Sequence, residues 1–443
     1  MNLNELRARI ETKTAKLAVI GQGYVGLPVA ALFAGKGLDV LGVDIKPGLA
    51  EKINAGINPI EGFEPGLAEL LKEGISSGRL RATADYKELA DRDVFILAVE
   101  TPVDDNHIPR YNALRGALAS LASVMKHGAL VIIESTIAPR TMNDLVLPLL
   151  EQQSGKKVSE GFYLGNCPER VMPGKLLNNL RKMSRVVGGM TPETSDTMIA
   201  LYKNFVEADL DPADCITAEL VKTVENAYRD VQIAFANEVA LVAEAAGGDV
   251  WAVRELVNKS PQRQMHLPGA GVGGHCIPKD PWLLVHGAEE RGVHLRLIPA
   301  ARSVNDSMPI HMVKLLEDAL AKVGKPILDA RIAVLGYSYL EDSDDTRNSP
   351  TRALVARLYE LGAQPVIHDP WIAEYNGDVF EKVKGCDAAV VMVAHSEYKT
   401  MDLEKLKSVL RSPVLVDGRR FYNSADIDQT GLNYYGIGIS PIE

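Results

Sequence analysis

Lys16-Leu-Ala-Val-Ile20, Gly21-Gln-Gly23-Tyr24-Val25-Gly26 and Asp39-Val-Leu-Gly-Val-Asp44 are the three pieces whose order decides the fold. A short apolar run ending on glycine reads as a buried strand. The Ala/Leu/Val-rich stretch from Val25 to Gly37 reads as a helix, and a second strand follows to Asp44, making one βαβ unit. The first glycine allows the tight turn, the second lets backbone approach a pyrophosphate, and the third lets helix and strand pack closely. The helix N-terminus meanwhile faces the phosphate charge. Asp44 follows Gly21 by 23 residues, the distance at which a carboxylate accepts both ribose hydroxyls of NAD and repels the extra phosphate of NADP. Gly21, Gly23, Tyr24, Val25, Gly26 and Asp44 are therefore candidate cofactor contacts. The glycine pattern alone also suits a purely structural turn; strand, helix and acid together favour nucleotide. Lys46, two residues past the acid, keeps NADP open beside NAD.

Working outward, Asp93-Val-Phe-Ile-Leu-Ala-Val99 and Ala129-Leu-Val-Ile-Ile-Glu134 are further parallel-strand candidates with helical patterns between them. Arg331–Gly336, Gln364–Asp369, Asp387–Val393 and Pro413–Asp417 trace the same plan near the other end, without sequence repetition. Ala218 to Ala246 has no Gly or Pro and stops at Gly247-Gly248, so it reads as one helix of ~43 Å at 1.5 Å per residue. The fold class expected is α/β, two Rossmann-like doubly wound domains joined by a long central helix. The expected boundaries are 1–210, 211–315 and 316–443.

Composition narrows the function. The 443 residues are 46% apolar and 24% charged, which suits globular domains rather than disorder. The balance of 48 Lys+Arg against 58 Asp+Glu argues against nucleic acid or an anionic membrane as main partner, since both need a basic surface. No apolar run approaches the ~18–20 residues of a spanning helix. Met1 to Lys16 lacks a signal peptide's apolar middle and reads as a short surface helix. Cys167, Cys215, Cys276 and Cys386 are widely separated, which fits a reducing compartment, and a cytoplasmic location is expected. No metal is expected, because there is no His-Glu-x-x-His and His275-Cys276 is not a zinc spacing. Nor is there a Gly-x-Ser-x-Gly elbow for a serine hydrolase.

Four other constellations could carry chemistry. In Gly269-Ala-Gly271-Val-Gly273-Gly274-His275-Cys276-Ile-Pro-Lys279-Asp280 the glycines let a loop close around a ligand. Cys276 is either a nucleophile activated by its surroundings or a small buried hydrophobe. On the long helix Lys222, Asn226 and Arg229 fall at i, i+4 and i+7, and so share one face. They form a solvated stripe or three donors aimed into a cleft. Asn166-Cys-Pro-Glu169-Arg170-Val171-Met-Pro-Gly174 is a loop in which Glu169 can orient a water, and Glu134-Ser135-Thr136 ends a strand, where ligands bind in such sheets. Either of these two also reads as loop punctuation.

Together, from about Leu17 to Tyr422, these motifs resemble the nucleotide-sugar 6-dehydrogenases, the UDP-glucose/GDP-mannose dehydrogenase family. The resemblance implies an N-terminal NAD domain, a central helical dimerisation region and a C-terminal domain gripping UDP. It implies four-electron oxidation of a C6 alcohol to a carboxylate with two NAD. Cys276 is then the nucleophile, passing through a thiohemiacetal and a thioester, and Lys222 the general acid/base, with Asn226 beside it. Glu169, Thr136 and Asp280 position the hydrolytic water. Thr101, Thr136 and Arg347 meet the cofactor. Arg170, Val171, Lys222, Asn226, Arg229, His266 and Gly273 contact the sugar nucleotide; Arg419 meets its UDP end, and Arg263 reaches into the neighbouring subunit's site.

His275 before the cysteine and Asp280-Pro281 after it resemble the branch acting on 2-acetamido sugars, with UDP-N-acetyl-D-mannosamine favoured over the glucosamine and galactosamine epimers. Three positions depart from the family pattern: Leu340 follows Tyr339 where lysine is common, Arg110-Tyr111 replaces a helix-opening aspartate, and Lys279 stands where acetamido-sugar relatives carry an apolar residue. A two-electron β-hydroxyacid-type dehydrogenase is the competing enzyme class, but it leaves Cys276 and the C-terminal domain without a role. A non-catalytic NAD-binding scaffold is the competing non-enzyme reading.

Overall fold

A computed structural model describes residues 1–60, 62, 64–422, 427 and 429–439. By contacts the chain forms two compact units, one of residues 1–225 and 282–294, the other of 226–281 and 295–443.

In the first unit the described strands are β1 (Lys16–Ile20), β2 (Asp39–Val43), β3 (Leu80–Thr83), β4 (Val94–Leu97), β5 (Ala129–Ile133), β6 (Phe162–Asn166), β7 (Arg185–Gly189) and β8 (Leu210–Asp214). They form one sheet in the order β3-β2-β1-β4-β5-β6-β7-β8, parallel throughout except where β6 meets β7. The order reverses direction beside β1, so a crevice opens at the carboxyl ends of β1 and β4. The apolar runs are continuous because both faces are covered: Leu17, Val19, Val94 and Ile96 face one buried cluster, and Ala18, Ile20, Phe95 and Leu97 the other.

The second unit holds β9 (Arg331–Leu335), β10 (Gln364–His368), β11 (Ala388–Val391), β12 (Val414–Asp417) and β13 (Asn433–Gly436), all parallel, in the order β10-β9-β11-β12-β13. The α/β reading with two doubly wound sheets and a long helix is thus observed. Both sheets use one device at the central strand. Asp93, just before β4, accepts from Lys16 N–H at 2.8 Å while its own N–H donates to Lys16 O at 2.7 Å. Asp387, before β11, repeats this on Arg331 at 2.8 and 2.6 Å. Both aspartates are buried and read from sequence as the first strand residue; they serve as staples one position outside it.

The sheets differ at the end of their second strands. Asp44 is half-buried, whereas Asp369 is fully buried and accepts from Tyr337 N–H (2.7 Å), Ser338 N–H (2.9 Å), Trp371 N–H (2.9 Å) and His395 Nε2 (3.1 Å).

Two local expectations shift. The N-terminal helix, Leu3–Glu11, buries Leu6 and Ile10 completely rather than lying on the surface. The long helix runs Cys215–Ala246, starting three residues earlier than the apolar pattern suggests, because the Asp214 carboxylate accepts from Thr217 N–H at 2.9 Å and Thr217 Oγ1 at 2.8 Å. It ends as expected before Gly247 (φ +80°). Among the described residues no helix is long and apolar enough to cross a membrane.

Candidate functional site

The dinucleotide turn lies in the first unit. Gly21 adopts φ +91°, and a Cβ there would meet Ala98 O at 2.5 Å. A Cβ on Gly26 would fall 1.8 Å from Gly21 O, so the helix Gly26–Gly35 can dock only through glycine. A Cβ on Gly23 would meet nothing within 4 Å: the backbone there faces open space. The helix begins after Val25 with no side-chain cap; Leu27 N–H donates to Gly23 O and Val29 N–H to Val25 O, each at 3.2 Å, and Pro28 has no N–H. Asp44 is held over the turn by Gln22 N–H (2.8 Å) and Lys46 N–H (2.9 Å). Open backbone, uncapped helix and half-buried acid fit a dinucleotide, as pyrophosphate and ribose require.

The glycines give a paired prediction. Gly26→Ala should cost ~1–3 kcal/mol of stability through overpacking, read as a lower melting temperature, and should also weaken NADH affinity. Gly23→Ala should leave the melting temperature in place while NADH affinity, read by fluorescence, falls.

Beside the turn, Thr101 Oγ1 donates to Thr136 O at 2.6 Å, joining two strand-end loops. Of Glu134-Ser135-Thr136, Glu134 is fully buried against Arg185 (2.6 Å), and Ser135 Oγ donates to Val99 O at 2.6 Å, leaving Thr136 as the half-buried member. The loop after β6 is pinned at several points. Glu169 accepts from Val171 N–H, and Arg170 reaches Glu225 (Nε to Oε2, 3.0 Å) and Ser184 O (2.6 Å). Lys222, on the long helix, is buried at 6% exposure rather than lying in a solvated stripe.

In the second unit the glycine-rich loop packs where no side chain fits. A Cβ on Gly273 would come within 2.6 Å of Tyr339 Cβ, and one on Gly274 (φ +93°) within 2.7 Å of the Tyr339 ring. Gly274 N–H donates to Arg347 O at 2.8 Å, and Asn348 Nδ2 donates to Gly274 O at 3.0 Å. Cys276 follows, and its carbonyl accepts from the N–H groups of Lys279 (3.1 Å) and Asp280 (2.8 Å). Asp280 is buried; it accepts from Asn226 Nδ2 at 2.6 Å and lies 3.2 Å from Lys279 Nζ. Burial, then the charges of Lys279 and Arg347, lower the His275 pKa to about 4, so its ring is neutral at pH 7.

Cys276 is partly exposed, whereas the other three cysteines are buried. Burial pushes their thiols up, Cys167 to about 11 and Cys215 to about 12. Arg347 chelates Asp345 (2.6 Å), and Arg419 Nε donates to Met392 O at 2.8 Å with its Nη1 next to Gly269. Burial lowers the Arg419 pKa. Arg229 is exposed and, with Arg254, lowers the pKa of half-buried His266 after burial itself. Arg263 is exposed.

Sequence reasoning missed several residues. Glu225 holds Arg170. A buried chain runs from Gly269 N–H to Asn237 (2.9 Å), Asn305 (2.8 Å), Asp230 (2.7 Å) and Arg302 (2.7 Å). Its signal was present, since Asp230 and Asn237 stand seven apart on the long helix among apolar residues, as do Arg302 and Asn305 three apart on the helix Leu297–Lys322.

Comparison with known proteins gives matches along most of the chain. The NAD binding domain of the UDP-glucose/GDP-mannose dehydrogenase family matches residues 15–206, its central domain 216–307 and its UDP binding domain 333–424. A UDP-N-acetyl-D-mannosamine dehydrogenase of Pyrococcus horikoshii is 39% identical over 96% of this chain and 99% of its own. The solved structure of the Pyrococcus horikoshii enzyme superposes with a TM-score of 0.90, covering 96% of this chain and all of that one (100%), at 39% identity. An NDP-N-acetyl-D-galactosaminuronic acid dehydrogenase from Methanosarcina mazei superposes at 0.87, with 35% identity over 99% of this chain and 98% of that one.

Proposed function

The chain belongs to the UDP-glucose/GDP-mannose dehydrogenase family, and from that premise we propose that it oxidises C6 of UDP-N-acetyl-D-mannosamine to the uronic acid. The observation that carries the reading is the loop ending in Cys276, where the one partly exposed thiol of four sits on a turn whose next residues bind Asn226. Bound NAD supplies the hydride acceptor for each of the two oxidations. Lys222 takes the C6 hydroxyl proton as hydride leaves, giving the aldehyde. The Cys276 thiolate then adds to the aldehyde carbon, and Asn226, oriented by Asp280, donates to the oxygen. Loss of the second hydride leaves a thioester on Cys276. Water, oriented by Glu169 and Thr136, attacks the thioester carbon; the C–S bond breaks and the thiol returns. The sum is alcohol, two NAD⁺ and water to carboxylate, two NADH and three protons. Arg419, a desolvated guanidinium, suits the nucleotide diphosphate, with Arg170, Arg229, His266 and Gly273 as further contacts.

Identity with the Pyrococcus horikoshii enzyme supports the manno epimer. Likeness to the Methanosarcina mazei structure keeps the galacto epimer as a second reading. An NADH assay over UDP-glucose and the three UDP-N-acetylhexosamines decides: two NADH per UDP-N-acetylmannosamine, with the others at least about tenfold slower, is expected. Turnover of UDP-glucose alone would sink the substrate class.

A homodimer is proposed as well. Tyr228, Phe235 and Val242 recur every seven residues on the long helix, each more than half exposed, and Leu256 on the helix Val250–Asn258 is 63% exposed. A heptad-spaced apolar face of this kind suits a second copy of the chain, whose Arg263 would complete the substrate site.

A further inference from the structure

We infer that Glu64 is a positioning residue that ties the dinucleotide turn to the loop after β6, so that NAD binding orders the loop meant for the sugar nucleotide. The inference rests on the NAD-binding turn and on the reading that Arg170 and Val171 meet substrate.

One half-buried carboxylate serves three donors from two separate segments. The Tyr24 hydroxyl, from the middle of the glycine turn, donates to Glu64 Oε1, as does Gly174 N–H at 2.8 Å. Leu176 N–H donates to Oε2 at 3.2 Å. Glu64 is separated from Tyr24 by 40 residues and from Gly174 by 110, so the bridge is tertiary and draws nothing from a local turn. The packing around it is continuous. Tyr24, Val25 and Val171 lie against the same buried cluster, which includes Leu67, Leu176 and Leu177. Gly174 adopts φ +74°, and the loop's other end is fixed by Glu169 on Val171 N–H and by Arg170 on Glu225 and Ser184. Glu64 thus supplies the downstream anchor of this loop, and the Tyr24 hydroxyl is the link by which the cofactor turn can act on it. A carboxylate shared in this way makes order at one segment favour order at the other, and the linkage is reciprocal.

Hydrogen–deuterium exchange of a peptide spanning residues 172–178, on the full-length protein at saturating NAD and with no sugar nucleotide, reads the coupling directly. In the wild type NAD should slow exchange of the Gly174 and Leu176 amides about fivefold or more, the size of ordinary site-to-site coupling. Tyr24→Phe, which keeps the ring and removes only the hydroxyl, and Glu64→Ala should abolish the NAD-dependent part. Glu64→Gln, whose amide oxygen can still accept from the tyrosine hydroxyl and Gly174 N–H but whose NH2 cannot accept from Leu176 N–H, should restore it at Gly174 and not at Leu176. Equal NAD-dependent protection in wild type and Tyr24→Phe overturns the inference. So does a wild type in which NAD changes nothing at these amides, or a Glu64→Ala protein in which exchange rises by the same factor with and without NAD, since that is a merely structural anchor. No substrate enters the measurement, so a wrong sugar nucleotide would show in the NADH panel and leave this result standing.

Discussion

Cys276→Ser is expected to cut steady-state NADH formation by about 10³-fold or more, the scale seen when a covalent nucleophile is lost. A serine hydroxyl is a poor nucleophile at neutral pH, and its adduct would collapse to an ester that resists the final hydrolysis more than a thioester does. The other cysteines offer no substitute: Cys167, Cys215 and Cys386 are buried, and burial raises each thiol. Brief alkylation of the native protein should therefore label Cys276 alone, with activity lost in proportion. Two NADH per sugar from the serine variant would remove the thioester route.

Asp230→Ala is expected to destabilise the second unit by ~3–5 kcal/mol, lowering its melting temperature by on the order of 10 °C. Asp230 and Arg302 face each other at 2.7 Å with side chains only 1% and 2% exposed. Burial raises the Asp230 pKa even with the guanidinium alongside, so desolvation outweighs attraction and the pair is not itself a source of stability. What costs is losing one partner, because among the described residues the alanine variant leaves buried Arg302 with the largely exposed Asp306 as its remaining carboxylate. Asp230→Leu combined with Arg302→Met should recover much of the loss in a thermal melt. If the single variant melts with the wild type, the buried pair has been misjudged. The same substitution removes the carboxylate end of Asn305's hold on residue 230, leaving only its bond to the Asp230 carbonyl (3.0 Å), and through Asn237 it loosens Gly269 at the start of the cysteine loop, so activity should fall further than the melt implies.

Much of this was legible beforehand, for physical reasons that differ by element. Strands β1, β4, β9 and β11 announce themselves as short unbroken apolar runs because both faces of each sheet are covered. The turn at Gly21 to Gly26 was legible because each glycine answers a steric demand: Gly26 has no room for a methyl group, and Gly23 has nothing but room. Residues whose partner is remote in sequence were not legible. Glu64 looks like one acid before a Pro-Gly turn, and nothing local marks Gly174 and Leu176 as its donors. Glu134 read as strand-end chemistry, yet its partner is Arg185, on β7, and the pair is wholly internal. Helix periodicity set Lys222, Asn226 and Arg229 on one face, but their burial differs, from 6% exposure at Lys222 through half-buried Asn226 to exposed Arg229, because neighbouring residues cover only part of that face.

The contrast between Asp44 and Asp369 has a consequence for stoichiometry and timing. The second sheet repeats the first, but its matching acid is consumed by four internal donors, and Ser338, fully buried, stands where the first turn has open Gly23. A titration should close at one dinucleotide per chain. On the proposed four-electron route, two successive oxidations would draw on that single berth, so the spent NADH would have to depart and a fresh molecule arrive between them while the half-oxidised sugar stays. Residence times must be ordered accordingly, and a covalent hold on the intermediate is the simplest way to make it outlast a cofactor that has to come and go.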